Sequence, residues 1–206
     1  MIFSVIIRCK NEDQWIGHSI QSVIDILPIH TEIIIIDNNS NDDSKNIINM
    51  FINEKTNDIT LKYFNIDNYS PGKAINLGVK NCSYENIMIL SSHCVLTKIN
   101  LNKIENLLQE NVAIWGKQIP IYKGKKINRK RYIWKNFEDK DNINYYSDGE
   151  DRYFLHNALS IYKKSILEKY IKDEKLVGKE DRYWANDRIN EGHNIYYDSE
   201  LECNHY

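Results

Sequence analysis

The chain has 206 residues, a length that suits one domain, and its 42% hydrophobic content is enough to bury a core without metal or disulfide staples. A net charge of -2 argues against a nucleic-acid partner, which normally meets a basic excess. The four cysteines, Cys9, Cys82, Cys94 and Cys203, form no C-x-x-C pair, the opening apolar run is too short for a signal peptide, and no stretch approaches a transmembrane span, so the expected location is cytoplasmic.

Residues 3–8 form a short apolar run with β-branched residues and predict a strand. Residues 13–27 place apolar side chains at Trp15, Ile16, Ile20, Val23, Ile24 and Leu27, the spacing of a helix. Residues 32–37 contain Ile33 to Ile36 without interruption and predict a strand buried on both faces, as in a parallel sheet. Alternation continues with a helix over 43–51, a strand over 59–65, a helix over 72–81, a strand over 86–90, a helix over 99–109 and a strand over 112–119. Repeated β-α-β order implies an α/β sheet with right-handed crossovers. Three helix starts are expected: Asn11 with Gln14, Ser40 with Asp43, and Ser70 with Pro71 at the first helical position.

Residues 122–151 lose the alternation. A basic run (Lys123, Lys125, Lys126, Arg129, Lys130, Arg131) is followed by Tyr132, Trp134 and Phe137 and then by acidic residues. The expectation is a solvated loop; the alternatives are an acceptor lid or, over 123–137, a patch touching anionic lipid at the inner face of the membrane. Order returns with a strand over 156–162, a helix over 164–170, a helix over 181–191 ended by Gly192, and a strand over 194–197. The chain therefore reads as one domain of residues 1–206 in three parts, an alternating half (1–119), a variable loop region (120–152) and a second ordered half (153–206).

In an open α/β sheet, ligands bind beyond the carboxyl ends of the strands. Polar residues gather there: Arg8, Cys9, Lys10, Asn11 and Glu12 after the first strand; Asp37, Asn38, Asn39 and Ser40 after the second; Ser91, Ser92 and His93 after the fourth. The helix after Ser70 offers free N–H groups and Lys73 to a diphosphate. G-x-G-x-x-G after the first strand and G-x-x-x-x-G-K-[ST] are both absent from the sequence, which disfavours a dinucleotide Rossmann domain and a P-loop NTPase.

The segments SVIIRCKNEDQWIGHSIQSV and EIIIIDNNSNDDS, then SPGKAINLGVKNCSYENIMILSSHC, then GKEDRYWANDRINEGHNIYYDSELECNHY, resemble family 2 glycosyltransferases of the GT-A fold. The resemblance implies a Rossmann-like mixed sheet flanked by helices and an inverting transfer of sugar from a nucleotide sugar to a glycan or lipid-linked acceptor, in capsule, lipopolysaccharide or related surface-glycan synthesis. By the same resemblance Asp37 contacts base or ribose. Arg8, Cys9, Asn11, Glu12, Asn39, Lys73, Ser91, Ser92 and His93 are donor residues, with Asn76 on the helix bordering the diphosphate. His156, Asn157 and Trp184 face the acceptor side, and Asp181, paired with Glu180, is the general base. The alternatives are an inactive GT-A-like binding module and a sugar nucleotidyltransferase, the latter lacking its Gly-rich first loop.

One departure from the family pattern is large. Its D-x-D, which holds Mg or Mn against the diphosphate, is replaced by Ser91-Ser92-His93. Hard cations prefer carboxylate oxygen, so metal-independent or weakly metal-dependent action is expected. His93 and His205 are the possible metal ligands. Buried thiols are expected in preference to a zinc site built on Cys9, Cys94 and Cys203.

Overall fold

The computed structural model describes residues 1–54, 59–127 and 132–206. The first half runs β1 (Phe3–Cys9), α1 (Ile16–Ile26), β2 (Glu32–Asp37), α2 (Ser44–Asn53), β3 (Thr60–Asn65), α3 (Pro71–Asn81), β4 (Asn86–Ser91), β5 (Cys94–Lys98), α4 (Leu101–Glu110) and β6 (Ala113–Tyr122). Four short strands follow with a 3-10 turn at Tyr132–Asn136 among them: β7 (Lys125–Lys126), β8 (Asn142–Ile143), β9 (Tyr146–Ser147) and β10 (Arg152–Tyr153). The chain closes with β11 (Leu159–Lys163), α5 (Lys164–Lys169), α6 (Glu180–Asn190) and β12 (Ile195–His205).

The main sheet has the order β3-β2-β1-β4-β11-β6-β12-β5. Strands β3, β2, β1 and β4 are parallel, and β11 is antiparallel to both β4 and β6. This is the mixed sheet flanked by helices that the sequence implied. The isoleucine run explains why the sheet is covered on both sides. Ile33 and Ile35 enter a core with Val5, Ile7, Ile16 and Ile20, while Ile34 and Ile36 enter another with Ile6, Ile75 and Trp115. All four isoleucines are fully buried. At about 1.5–3 kcal/mol per buried side chain, this strand is a major part of the driving force and has no solvent face.

Two expected caps are not formed. Helix α1 begins after Trp15, and Asn11 instead sits at φ 53° with its Oδ1 accepting from Asn41 N–H. Helix α2 begins after Asp43, and the Ser40 hydroxyl bonds Asp37. In both cases side chain and loop amides found partners across the β1 and β2 tips, which competes with capping. Ser70 does cap α3, accepting from Lys73 N–H at 3.1 Å, with Pro71 next.

The segment expected to be a solvated loop is largely tied down. Phe137 is buried, Trp134 is half-buried against Phe137 and His205, and Asp141 accepts from Lys103, Tyr196 and Ser199. Aromatic packing outweighed local polarity, and two of the three aromatics proposed to meet lipid are turned into the protein. Arg129, Lys130 and Arg131 lie outside the described residues. Among those described, no helix is long and apolar enough to cross a membrane.

Strand β12 is longer than expected. It pairs parallel with β6 across a register shift between Asp198 and Glu202, then antiparallel with the unforeseen β5. A Cβ on Gly116 of β6 would stand 2.5 Å from the Leu201 carbonyl, so only glycine lets the two strands approach here. Past this shift β12 reaches the β4–β5 turn, where Tyr206 N–H donates to the His93 carbonyl at 3.0 Å.

Candidate active site

The carboxyl ends of β1, β2 and β4 enclose a cleft of about 290 Å³ lined by Arg8, Cys9, Lys10, Glu12, Asn38, Tyr69, Ser91, Ser92 and His93. Six of these, Arg8, Cys9, Glu12, Ser91, Ser92 and His93, are donor candidates from the sequence. Lys10, Asn38 and Tyr69 were not assigned donor roles. Lys10 and Asn38 lay in strand-tip segments already singled out. Tyr69, next to the cap Ser70, carried no signal of its own.

Asp37 is buried, and both its oxygens are occupied. Oδ1 accepts from the Ser40 hydroxyl, and Oδ2 accepts from Ser40 N–H at 3.0 Å and from Tyr63 OH at 2.9 Å. Its observed work is to hold the β2 loop in the turn geometry that Asp readily forms at strand ends. Asn39, at φ 49°, donates to the Ile66 carbonyl and Asp67. Lys73 donates to the Asp67 carbonyl at 2.8 Å and is not among the residues lining the cleft. Asn76 holds the backbone of Lys172 through two hydrogen bonds. Burial drives the Cys9 thiol up to about 12, with Asp37 adding to the shift, so it is no nucleophile.

On the other side of the β4 tip, α6 presents Glu180 and Asp181 at its first turn, where the helix dipole favours anions. Lys179 stands before it in the left-handed region, φ 59°, with no side-chain cap bond. Glu180 pairs with Arg8 at 3.2 Å, which joins α6 directly to the cleft. Asp181 Oδ1 accepts from Arg182 at 2.8 Å, and Oδ2 accepts from Asn157 N–H at 2.9 Å. Burial alone would raise the Asp181 pKa, but Arg182 and the Asn157 N–H outweigh it and hold the carboxyl ionised. Asp181 is itself buried, and its Oδ2 accepts this one hydrogen bond among the described residues.

Asn157 is fully buried and bonded on every side-chain position. Its Oδ1 accepts from Tyr162 OH and the Ser160 hydroxyl, and its Nδ2 donates to Glu180. It positions the acidic pair rather than facing an acceptor. Trp184 is also buried, with its indole N–H donating to the Tyr170 carbonyl at 2.7 Å. Trp184 is turned into the second core by α6, while Asn157, just before β11, is buried against Glu180.

Three imidazoles meet beside the cleft. The His93 and His205 rings are 4.8 Å apart, and those of His156 and His205 are 6.4 Å apart. Burial lowers His156 to about 3, with Arg182 adding to the effect; burial and His93 lower His205 to about 3. Both are neutral at physiological pH. His156 Nδ1 accepts from Ala158 N–H, so its Nε2 carries the proton; His205 Nδ1 bonds Gln118 Oε1, so its Nε2 is the bare nitrogen. His93 Nδ1 lies 2.8 Å from Glu12 Oε1.

The fold's usual Mg or Mn does not fit these residues. Ser91 and Ser92 offer hydroxyls, His93 an imidazole, and the nearest cleft carboxylate, Glu12, is engaged by His93. The ligand atoms of His93, Cys94 and His205 do fall within 4.8 Å of one another, but Cys94 is buried and its thiol is held well above its ordinary value by burial and Cys203. The set is imidazole and thiol, not hard oxygen.

The mixed α/β sheet thus carries a polar strand-tip cleft joined through Arg8 to an acidic pair on α6. Residues 4–171 match the family model for glycosyl transferase family 2, and the chain belongs to that family. The match ends before Glu180. A glycosyltransferase of Rickettsia felis is 31% identical over 113 residues, and one of Rickettsia conorii is 32% identical over 113, each comparison covering 55% of this chain. The aligned region spans only 18% of those relatives' length. The fold is that of TarS residues 1–349 from S. aureus, at TM-score 0.72 and 18% identity, covering 100% of this chain and 60% of that one. A mannosyltransferase of Pyrobaculum calidifontis, solved with GDP-Man and Mn2+, gives TM-score 0.72 at 14% identity, covering 98% of this chain and 56% of that one.

Proposed function

We propose that the chain transfers a sugar from a nucleoside-diphosphate donor to an acceptor hydroxyl, with inversion at the anomeric carbon. The observation that supports this reading is the Arg8–Glu180 pair, which joins the first turn of α6, where Asp181 follows Glu180, to a residue lining the strand-tip cleft. In the proposed reaction the donor lies across the tips of β1, β2 and β4. Asp181 Oδ2 takes the acceptor proton as the hydroxyl oxygen attacks C1, and the C1–O bond to the diphosphate breaks. Charge on the leaving group is met by Arg8, Lys10 and the serine hydroxyls that line the cleft, not by a carboxylate-held cation. Structures of TarS with UDP and UDP-GlcNAc support the donor class. The family resemblance supports a role in bacterial surface-glycan assembly at the cytoplasmic face of the membrane, with a glycan or lipid-linked acceptor.

A thermal-shift screen of nucleotide sugars, with and without divalent metal, tests the donor assignment. A native-state ligand raises the midpoint, by an amount equivalent to about 2.7 kcal/mol at a hundredfold excess over Kd. Failure of every UDP- and GDP-sugar to shift the midpoint, in either condition, would sink the assignment.

A further inference from the structure

Lys172 is a buried amine that the proposed reaction does not use. It is fully buried, and its Nζ lies 3.8 Å from the Trp184 ring centre and 4.7 Å from that of Tyr162. Its hydrogen-bond partner is the Tyr162 hydroxyl, at 3.3 Å. The backbone around it is fixed: Asn76 on α3 bonds both its N–H and its carbonyl, and Gly72 of the same helix touches Asp173 so closely that a Cβ would stand 2.2 Å from its carbonyl oxygen.

From this amine a chain of donors runs one way. Lys172 donates to Tyr162 OH, which donates to Asn157 Oδ1 at 2.6 Å. Asn157 then donates outward, from Nδ2 to Glu180 and from its backbone N–H to Asp181. A protonated amine can only donate. It therefore directs the phenol proton toward Asn157 Oδ1, where it joins the Ser160 hydroxyl in holding the amide with Nδ2 toward Glu180. A neutral amine can accept, and the phenol is then free to turn back toward it.

We propose that Lys172 is a positioning residue whose proton, acting through Tyr162 and Asn157, sets the hydrogen-bond direction that holds the Glu180–Asp181 pair. The inference rests on the reading of Asp181 as the base, yet it concerns the free protein and is tested without substrate. The charged and titratable groups facing the amine are Glu180, Asp181 and Arg188 on α6, Arg8 on β1 and Tyr162 on β11. Burial lowers the amine to about 7; Glu180 and Asp181 oppose the shift, and Arg8 and Arg188 add to it. Loss of the amine proton would release the first link of the chain, from Lys172 to Tyr162. Replacing a buried charge by an apolar residue of similar size is often stabilising, so a lysine kept here is consistent with a role other than stability.

The experiment is a pH titration of labelled, ligand-free protein by nuclear magnetic resonance, from well below to well above neutrality. The Lys172 Cε and the Asn157 backbone N–H are expected to show a step at the same midpoint. In Lys172→Met the Asn157 step disappears. In Tyr162→Phe, which keeps the ring and removes the hydroxyl, Lys172 still titrates while Asn157 stays flat. The second variant carries the test if the first does not fold. An Asn157 N–H that is flat in the wild-type protein overturns the proposal, as does one whose step survives Tyr162→Phe. Neither result bears on whether Asp181 is the base, which substitution of Asp181 decides separately.

Discussion

Nδ1 of His93 stands 2.8 Å from Oε1 of Glu12, so the carboxylate nearest the tip of β4 is bound to an imidazole from that tip. One oxygen of that carboxylate is thereby engaged, and the tip itself offers an imidazole nitrogen where a hard cation prefers oxygen. Chelation with EDTA is expected to leave the donor-induced thermal shift within experimental error, and added manganese to change it little. A shift abolished by EDTA and restored by manganese counts against this reading.

Asp181→Asn preserves the shape of the carboxylate and removes its basicity. Transfer should fall by about 10²–10⁴-fold, the usual contribution of a positioned base. The donor-induced shift should persist, because the donor cleft does not include Asp181. Steady-state rates beside thermal shifts separate the two effects; transfer within a few-fold of wild type removes Asp181 from the mechanism.

Arg8 and Glu180 form a part-buried pair, with side chains 15% and 5% exposed. Arg8→Met leaves Glu180 without its cation and should cost about 3–5 kcal/mol in denaturant unfolding. The double variant Arg8→Met, Glu180→Gln should recover much of that loss. A single variant as stable as wild type would show that the pair contributes nothing to the fold.

Acid should weaken the fold through its imidazoles. His156 and His205 are held at about 3 in the native protein, against an ordinary value of 6.5. Between those values the unfolded chain binds protons that the native state does not, so stability rises with pH across the window and is lost as pH falls through it. These two groups contribute no slope above the upper value. His156→Asn should make the dependence of the unfolding midpoint on pH shallower below neutrality.

Gly72→Ala should destabilise by about 1–3 kcal/mol, since the added methyl meets a backbone carbonyl that cannot rotate away. Urea unfolding measures it. Gly78→Ala, whose methyl would stand 2.7 Å from Cγ2 of the fully buried Ile6, should destabilise as well.

The alternating α/β order was legible because β1, β2 and β4 are apolar runs and α1 carries a 3.6-residue stripe. The Ser70–Pro71 start was legible because capping there is local. Asn11 and Ser40 misled for the opposite reason: their partners, Asn41 N–H and Asp37, lie across a loop junction or back in the preceding strand. Strand β5 left no trace, since Cys94–Lys98 is held as strand by its pairing with β12. Lys172 looked like one more lysine in a charged sequence. Its burial depends on Tyr162, Trp184 and Asn76, and no local pattern records them.

Residue order alone settled the α/β class and the polar strand tips, because these follow from local periodicity and side-chain chemistry, and the family resemblance marked Ser91-Ser92-His93 as the departure from D-x-D. Tertiary structure decided which of those polar groups are available. It closed Asp37 into its own turn, tied Lys73 to a loop carbonyl and buried Trp184 and Asn157. It also carried His205 across the β12 register shift to lie beside His93. Availability depends on which donors and acceptors converge from distant parts of the chain, and that convergence exists only once the sheet has formed.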